Sequence, residues 1–410
     1  MRTEKKPHAR SRRGSAGGIK IKHESIASQH ADLLRRIRVG DGRSRVELAR
    51  SLNLAPSTVG IYVDHLVEEG FLFEGRTKER DFGRPPTILA LNPHGGRFIG
   101  VDFEARNVMA VAVDFSQKPL KHFHDTIAMG ESVEKILQRI EHAIETVAAG
   151  EKTPLLGIGV GVPGVSDSKA GIALRYKHIP GWKDVPLVQR LTNLFHAPVY
   201  LENNIRTMAL AEMWFGQGRG VRNFICLGVR SGIGMGIVMD GQIYHGAQNR
   251  AGEIGEWPCA FGISQDAAAP RPFAPLEEIT SFRLLRERLS APPGPGLDPL
   301  VAPGTDLPVE RLVQAAQAGD SLALSILDRA SRTFGLVLNQ INCAFNPEKI
   351  ILAGVFTMFG DLFLRRLKEH LALFAPTAGP PPVVNSTLGT YNGALGAAAL
   401  AGQQWRPKAA

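Results

Sequence analysis

The chain has 410 residues, 44% hydrophobic and 21% charged, which is long enough for two or three domains with substantial cores and ordinary for a soluble globular protein. No apolar run reaches the roughly 18–20 residues of a membrane span, the basic N-terminus lacks the apolar stretch of a signal peptide, and Cys226, Cys259 and Cys343 are too few and scattered for a disulfide framework. A cytoplasmic protein with no membrane partner is expected. The net charge is +9, and residues 1–96 hold eighteen Lys and Arg against eleven Asp and Glu, a balance of +7; the asymmetry points to a polyanion partner, with a merely solvated basic tail as the alternative.

Residues 1–22 are rich in Lys, Arg, Gly and Ser, and a disordered tail is expected there. Residues 23–96 carry a compact pattern. Ala31 to Val39 predicts a first helix with Leu33, Leu34 and Ile37 on one face. Ser44 with Glu47 three residues later is a capping-box signal that opens a second helix carrying Leu48, Ala49 and Leu52 inward. Asn53-Leu54-Ala55 is read as the turn, and Pro56 suits the first position of a third helix. There Val59, Val63, Leu66 and Val67 have the spacing of a buried stripe, which turns Ser57, Thr58, Gly60, Ile61, Tyr62 and His65 outward. Gly70 ends that helix, and Phe71-Leu72-Phe73 with Thr87-Ile88-Leu89 predicts a two-stranded wing.

Two helices on a tight turn followed by a hairpin make a winged helix-turn-helix; a three-helix bundle for dimerisation is the competing reading. Gly83-Arg84-Pro85 in the wing favours DNA, because a slim, extended backbone lets Arg84 enter a narrow, negative minor groove. Arg76, Lys78 and Arg80 are expected on phosphates, which orients the module without reading sequence. Ser57 and Thr58 are the candidates for base edges, with Gly60, Ile61 and Tyr62 on the same face.

Beyond Arg97 short apolar strands alternate with helices, as in an α/β domain, and Phe98–Asp102 and Phe224–Val229 each open a glycine-containing strand–turn–strand, a weak echo of two related halves. Ala291 to Pro308 reads as a Pro/Gly-rich surface loop. Several motifs follow in order: Gly157-Ile158-Gly159-Val160-Gly161-Val162-Pro163-Gly164, Ile179-Pro180-Gly181-Trp182, Leu201-Glu202-Asn203-Asn204, Ser231-Gly232-Ile233-Gly234-Met235-Gly236, Arg250-Ala251-Gly252-Glu253-Ile254-Gly255-Glu256, and Phe345-Asn346-Pro347. Behind a winged helix, this series resembles the ROK family of bacterial sugar repressors and sugar kinases, and is similar to its repressors of the N-acetylglucosamine and xylose type. The resemblance implies an α/β fold with an N-terminal winged helix-turn-helix at 23–96 and a two-lobed actin/hexokinase-like (ribonuclease H-like) sugar-sensing domain at 97–410, with a cleft between its lobes.

Polyols are held by amides and carboxylates that pair hydroxyl groups. The resemblance places Asn203, Asn204, Glu253, Glu256 and one of Glu277 or Glu278 at or beside sugar-contacting positions; for Glu253 an N-cap or a buried ion pair is the alternative. Three departures from the family's kinases weigh against catalysis. The phosphate turn Asp-x-Gly-Gly-Thr is here Asp102-Phe103-Glu104-Ala105, so that a bulky and an anionic side chain are expected where phosphate would sit. The late Gly-Gly is Ala353-Gly354. The proton-accepting Asp of the Glu-Asn-Asp triplet is Asn204, an amide with no usable ionisation. A Cys₃His zinc site is also not expected: Glu256 stands at the histidine, Cys259 is a single thiol, and Ser264 to Pro275 holds no cysteine. The loop is then expected to close by packing of Trp257 and Phe261.

No ATP, zinc or other cofactor is therefore expected, and no enzymatic activity. The expected function is a DNA-binding repressor of carbohydrate uptake or catabolism genes, working as a homo-oligomer (a dimer or dimer of dimers) on a palindromic operator, with a sugar or sugar derivative as effector. A bifunctional sugar kinase and a regulator induced by a docking protein are the alternatives.

Overall fold

Local chemistry sets the first elements. In the computed structural model, which describes residues 18–40, 44–76, 87–128, 130–259, 274–277, 309–374 and 379–407, helix α1 spans Gly18–Val39, α2 Arg45–Leu52 and α3 Pro56–Glu68. Ser44 caps α2 by accepting the Glu47 N–H at 3.2 Å. Asn53 takes φ +52° to turn the chain, and Pro56 opens α3, where an N–H would be unsatisfied anyway. Val59, Val63 and Leu66 of α3 are buried, as are Leu33 and Leu34 of α1 and Leu48 and Ala49 of α2, while Ile61 stays 68% exposed. Strands β1 (Leu72–Arg76) and β2 (Thr87–Leu91) pair as the wing. Arg45 ties the module together: its guanidinium donates to Asp64 on α3 at 2.6 Å and to Glu74 on β1 at 2.8 Å.

Two boundaries differ from the sequence reading. The first helix starts at Gly18, inside the expected tail and well before Ala31; its extension carries Ile19, Ile21 and Ile26 among Lys, His, Ser and Gln. The chain also divides into Met1–Ala90 with Trp405–Ala410, and Leu91–Gln404. The C-terminal residues thus join the N-terminal unit, where the Trp405 ring meets Phe71 edge-on at 4.9 Å. Lys78, Arg80 and Arg84, the 291–308 loop, Glu278 and Phe261 lie outside the described residues, as does the side chain of Arg76.

His30 on α1 is 3% exposed, stacked on His65 at 5.1 Å and edge-on to Tyr62 at 5.0 Å, with its Nε2 unpaired. Burial, and next the charge of His65, push its pKa down to about 4. A histidine held neutral in the fold and free to protonate when unfolded costs stability as pH falls below about 6.5, until the folded form titrates near 4. Thermal unfolding of the N-terminal unit is therefore expected to lose several degrees between those values, and a His30→Phe variant to lose much less. An equal loss in both would remove His30 as the cause.

The larger unit is built twice on one plan. Strands β3 (Arg97–Phe103), β4 (Asn107–Asp114) and β5 (Pro119–Thr126) form an antiparallel meander; β6 (Leu155–Val162) adds parallel to β3, and β10 (Val199–Asn203) parallel to β6. In the second lobe β11 (Phe224–Val229), β12 (Ile233–Met239) and β13 (Gln242–Ile243) form the meander, with β16 (Lys349–Gly354) parallel to β11 and β17 (Val383–Asn385) parallel to β16. The orders β10-β6-β3-β4-β5 and β17-β16-β11-β12-β13 are the same, so the echo between Phe98 and Phe224 reflects a repeated sheet. Helix α4 (Val133–Ala148) covers the first sheet with Ile136, Ile140, Ala143, Ile144 and Val147.

A small sheet of β7 (Val165–Asp167), β8 (Ile172–Arg175) and β9 (Lys183–Val185) follows β6, and α5 (Leu187–Phe195) leads into β10 and α6 (Asn204–Phe215). The second lobe adds a short pairing of β14 (Pro258–Cys259) with β15 (Ala274–Pro275). It also adds helices α7 (Val309–Gln317), α8 (Ser321–Phe345) and α9 (Asp361–Phe374). The last helix, α10 (Asn392–Gln404), is made of Gly, Ala, Leu, Asn and Gln alone, and it lies against both β3 and α6. Its approach explains the glycines at 100 and 159. A Cβ at Gly159 would overlap the Ala397 carbonyl oxygen, and one at Gly100 the Ala394 carbonyl oxygen. Among the described residues no helix is long and apolar enough to cross a membrane.

Candidate functional site

A cleft of about 750 Å³ opens between the two sheets of the larger unit, lined from the first lobe by Pro163, Gly164, Tyr176 and the β10–α6 junction and from the second by Arg230 to Met235, Gly252, Glu253 and Glu277. The strand-to-helix junction positions its amides. Asn203 ends β10 and caps α6: its Oδ1 accepts the Ile205 N–H at 2.9 Å and the Arg206 N–H at 3.4 Å, and its Nδ2 donates to the Gly164 carbonyl at 3.1 Å. Both ends of that amide are engaged in the fold. Asn204, the next residue, lines the cleft with a side chain that has no hydrogen-bond partner among the described residues. The open amide at this junction is therefore Asn204 rather than Asn203.

The expected carboxylates sit differently from one another. Glu253 lines the cleft, makes no side-chain cap and has no ion pair among the described residues, so neither alternative role holds; burial pushes its pKa up, with Arg206 opposing. Glu256 is an exposed rim residue paired with Arg250 at 3.1 Å. Glu277 is paired with Lys177 at 2.9 Å and His178 at 3.5 Å; burial opposes its ionisation, but those two partners hold its pKa below the usual value. Glu202, in the same triplet as the asparagines, turns away from any ligand role. It is buried, pairs with Arg206 Nη1 and His245 Nε2, each at 2.8 Å, and accepts the Asn203 N–H at 2.7 Å. Burial works against its charge, yet the His245 hydrogen bond and Arg206 outweigh it and keep the carboxyl ionised.

The turn after β3 departs furthest from expectation. Phe103 does not stand in the cleft: it is fully buried in the first lobe's core, 5.1 Å from the Trp182 ring, because it continues the inward alternation of β3. Glu104 is held instead by Ser231 and by an arginine that the sequence motifs do not mark. Arg230, at the end of the β11 side of the β11–β12 turn, donates from Nη1 to Asp102 Oδ2 at 2.7 Å and places Nε 3.5 Å from Glu104 Oε2. Ser231 Oγ donates to Glu104 Oε2 at 3.0 Å and lies 2.7 Å from the Tyr176 hydroxyl.

This network joins the two lobes. Burial pushes Asp102 up to about 6, with Arg230 opposing and Glu104 adding, and its Oδ1 has no partner. Glu104 goes the other way, since Arg230 and Ser231 outweigh its burial. Gly234 and Gly236 belong to β12, where a Cβ at Gly236 would overlap the Ala209 methyl and one at Gly234 would crowd Ile205, both on α6, so these two make room for a helix. Among the described residues no group of three or more His, Cys, Asp and Glu could hold a metal ion. Cys259 is buried with its pKa raised by burial, and Trp257 packs on the second lobe's core.

The ROK family profile matches residues 98–404. The chain is 30% identical over 333 residues to the xylose repressor of Caldicellulosiruptor bescii, covering 80% of this chain and 82% of that protein. It is 28% identical over 372 residues to the DNA-binding transcriptional dual regulator NagC of Escherichia coli K12, covering 87% and 88%. A glucokinase of Halalkalibacterium halodurans matches at 31% over 262 residues, covering 62% of this chain and 78% of the kinase. Among solved structures, a ROK family transcriptional regulator described as a homologue of the E. coli MLC protein superposes with a TM-score of 0.77 at 23% identity, covering 93% of this chain and 96% of that one. The family match spans the greater part of the chain, and the chain belongs to the ROK family.

Proposed function

We propose that the protein is a DNA-binding transcriptional repressor of carbohydrate genes whose operator affinity is set by a sugar or sugar derivative in the cleft. The observation that carries this reading is Asn204: its amide opens into the cleft beside Glu253, where a polyol can be held, and it cannot accept a proton from a hydroxyl near neutral pH. The relatives named as repressors support it, as do the exposed residues of α3. Ser57 and Ile61 are exposed, with Thr58 and Gly60 half-buried beside them, for base contacts, whereas Tyr62, expected on the same face, packs its ring on His30 and hydrogen-bonds Gln29 of α1; Arg76, Lys78, Arg80 and Arg84 are assigned to the phosphates and the minor groove. Two copies on a palindromic operator would match the two-fold symmetry of such sites.

The residues present do not fit a nucleotide triphosphate. The Glu104 carboxylate occupies the turn that phosphates would approach, and the guanidinium beside it is already matched by two carboxylates. A structural zinc does not fit either, with Cys259 the one thiol near Glu256 and Glu256 paired with Arg250. ATP turnover with candidate hexoses is expected at the level of the uncatalysed control, and Asn204→Asp is not expected to raise it. Clear turnover by the wild-type protein that disappears in Asn204→Ala would establish the kinase reading instead.

The test of the main reading is gel-shift titration of genomic operator fragments with the full chain and with a chain lacking residues 1–96. The full chain is expected to bind a palindromic site near its own gene and to change affinity with sugar, since a ligand shifts an equilibrium only by its differential affinity for the two states. The truncated chain is expected to lose all sequence-specific binding. Retained specific binding would refute the assignment of the winged helix.

A further inference from the structure

The mouth of the cleft carries positive charge that the protein itself does not match. Strands β7, β8 and β9 place Val165 opposite Arg175 and Arg175 opposite Lys183, so the three side chains form one row across the small sheet. All three line the cleft, and Val165 is 43% exposed. Like charges directly opposite one another in an antiparallel pair are destabilising. Neither Arg175 nor Lys183 has a hydrogen-bond or ion-pair partner among the described residues.

The other cations of the cleft are accounted for. Arg230 is matched by Asp102 and Glu104, Lys177 and His178 by Glu277, and Arg250 by Glu256. Asp184, the neighbour of Lys183 on β9, balances one of the two remaining cations at most. Deeper in the cleft the open groups are an amide, Asn204, and a carboxyl that burial drives toward its neutral form, Glu253. The interior is thus suited to hydroxyls and the mouth to an anion.

We propose that the effector is an acidic sugar, with its ring hydroxyls at Asn204 and Glu253 and a phosphate ester or carboxylate seated on Arg175 and Lys183. This rests on the reading of the cleft as a sugar site. An anion there removes the repulsion between the two cations, and charge-assisted hydrogen bonds from a guanidinium and an ammonium favour it over a neutral hydroxymethyl group.

Isothermal titration of the full chain, at low and at physiological salt, would use glucose, N-acetylglucosamine, the 6-phosphate of each, glucuronate and inorganic phosphate. At least one acidic sugar is expected to bind about tenfold or more tighter than its neutral parent, with the preference shrinking as salt rises. The phosphate and glucuronate arms tell the two anions apart. In Arg175→Ala/Lys183→Ala, and in Arg175→Gln/Lys183→Gln should the first prove unstable, the ratio of acidic to neutral affinity is expected to fall to about one. Neutral sugars binding as tightly as their acidic forms would overturn the proposal while leaving the sugar-sensing reading intact. So would a preference that survives both double variants, or inorganic phosphate binding as tightly as the sugar phosphates. Failure of every sugar, charged or neutral, would overturn both.

Discussion

Arg230→Ala is expected to destabilise the larger unit by about 3–5 kcal/mol, the range for removing one partner of a buried ion pair. The guanidinium is 12% exposed and sits between two carboxylates, 2.7 Å from Asp102 and 3.5 Å from Glu104. Asp102 is fully buried, and burial and the charge of Glu104 already raise its pKa to about 6 against the pull of Arg230. Without the cation both carboxylates remain, and Asp102 will keep its proton through neutral pH. The sign of the pH dependence follows. A carboxyl whose folded pKa lies above its unfolded value takes up its proton in the fold first, so the variant will regain stability as pH falls from 8 toward 5. Urea unfolding at several pH values checks this, with Arg230→Met/Asp102→Asn/Glu104→Gln expected to recover most of the loss. A loss below about 1 kcal/mol at pH 8 would mean that water screens the network, and that the two lobes are not held through it.

That network also shows where reading the sequence stops. Asp102 and Glu104 are visible as departures from a phosphate turn, but their partner lies 128 residues away in the chain, and nothing in the local sequence pairs them. The same holds for Glu202 with His245, 43 residues apart. Elements ruled by local chemistry were legible: the Ser44 cap, the Asn53 turn, Pro56 and the stripe of Val59, Val63 and Leu66 all rest on neighbours within a few residues. The start of α1 was not: its isoleucines are sparse among basic and polar residues, and a buried histidine such as His30 counts as polar in a hydrophobic pattern. Asn203 had a local signal that the triplet motif hid, since an asparagine at the start of a helix is a natural N-cap.

The glycines of β6 give the other large effect, and they separate packing from backbone freedom within one strand. Gly159→Ala is expected to cost more than about 3 kcal/mol, above the usual range for an added methyl in a packed core. Its Cβ would overlap the Ala397 carbonyl oxygen, an atom of the α10 backbone that cannot rotate aside as a side chain can. The whole helix must move, and α10 also touches the Thr207 backbone at Gly396 and the Asp102 carboxylate at Gly393. The displacement thus reaches α6, whose first residue is Asn204, and weaker sugar binding should accompany the lost stability. Gly157→Ala is the control on the same face of the same strand, where side chains repeat every second residue. There the nearest atoms to a Cβ are Tyr200 Cε2 at 3.4 Å, the Pro198 carbonyl oxygen at 3.5 Å and the Ala401 methyl at 3.7 Å, all ordinary contacts. That variant should unfold within about 1 kcal/mol of the wild type. Neither position requires a positive φ, so a difference between them in urea unfolding measures the approach of α10, and equal tolerance at both would remove the helix as the reason for glycine at 159.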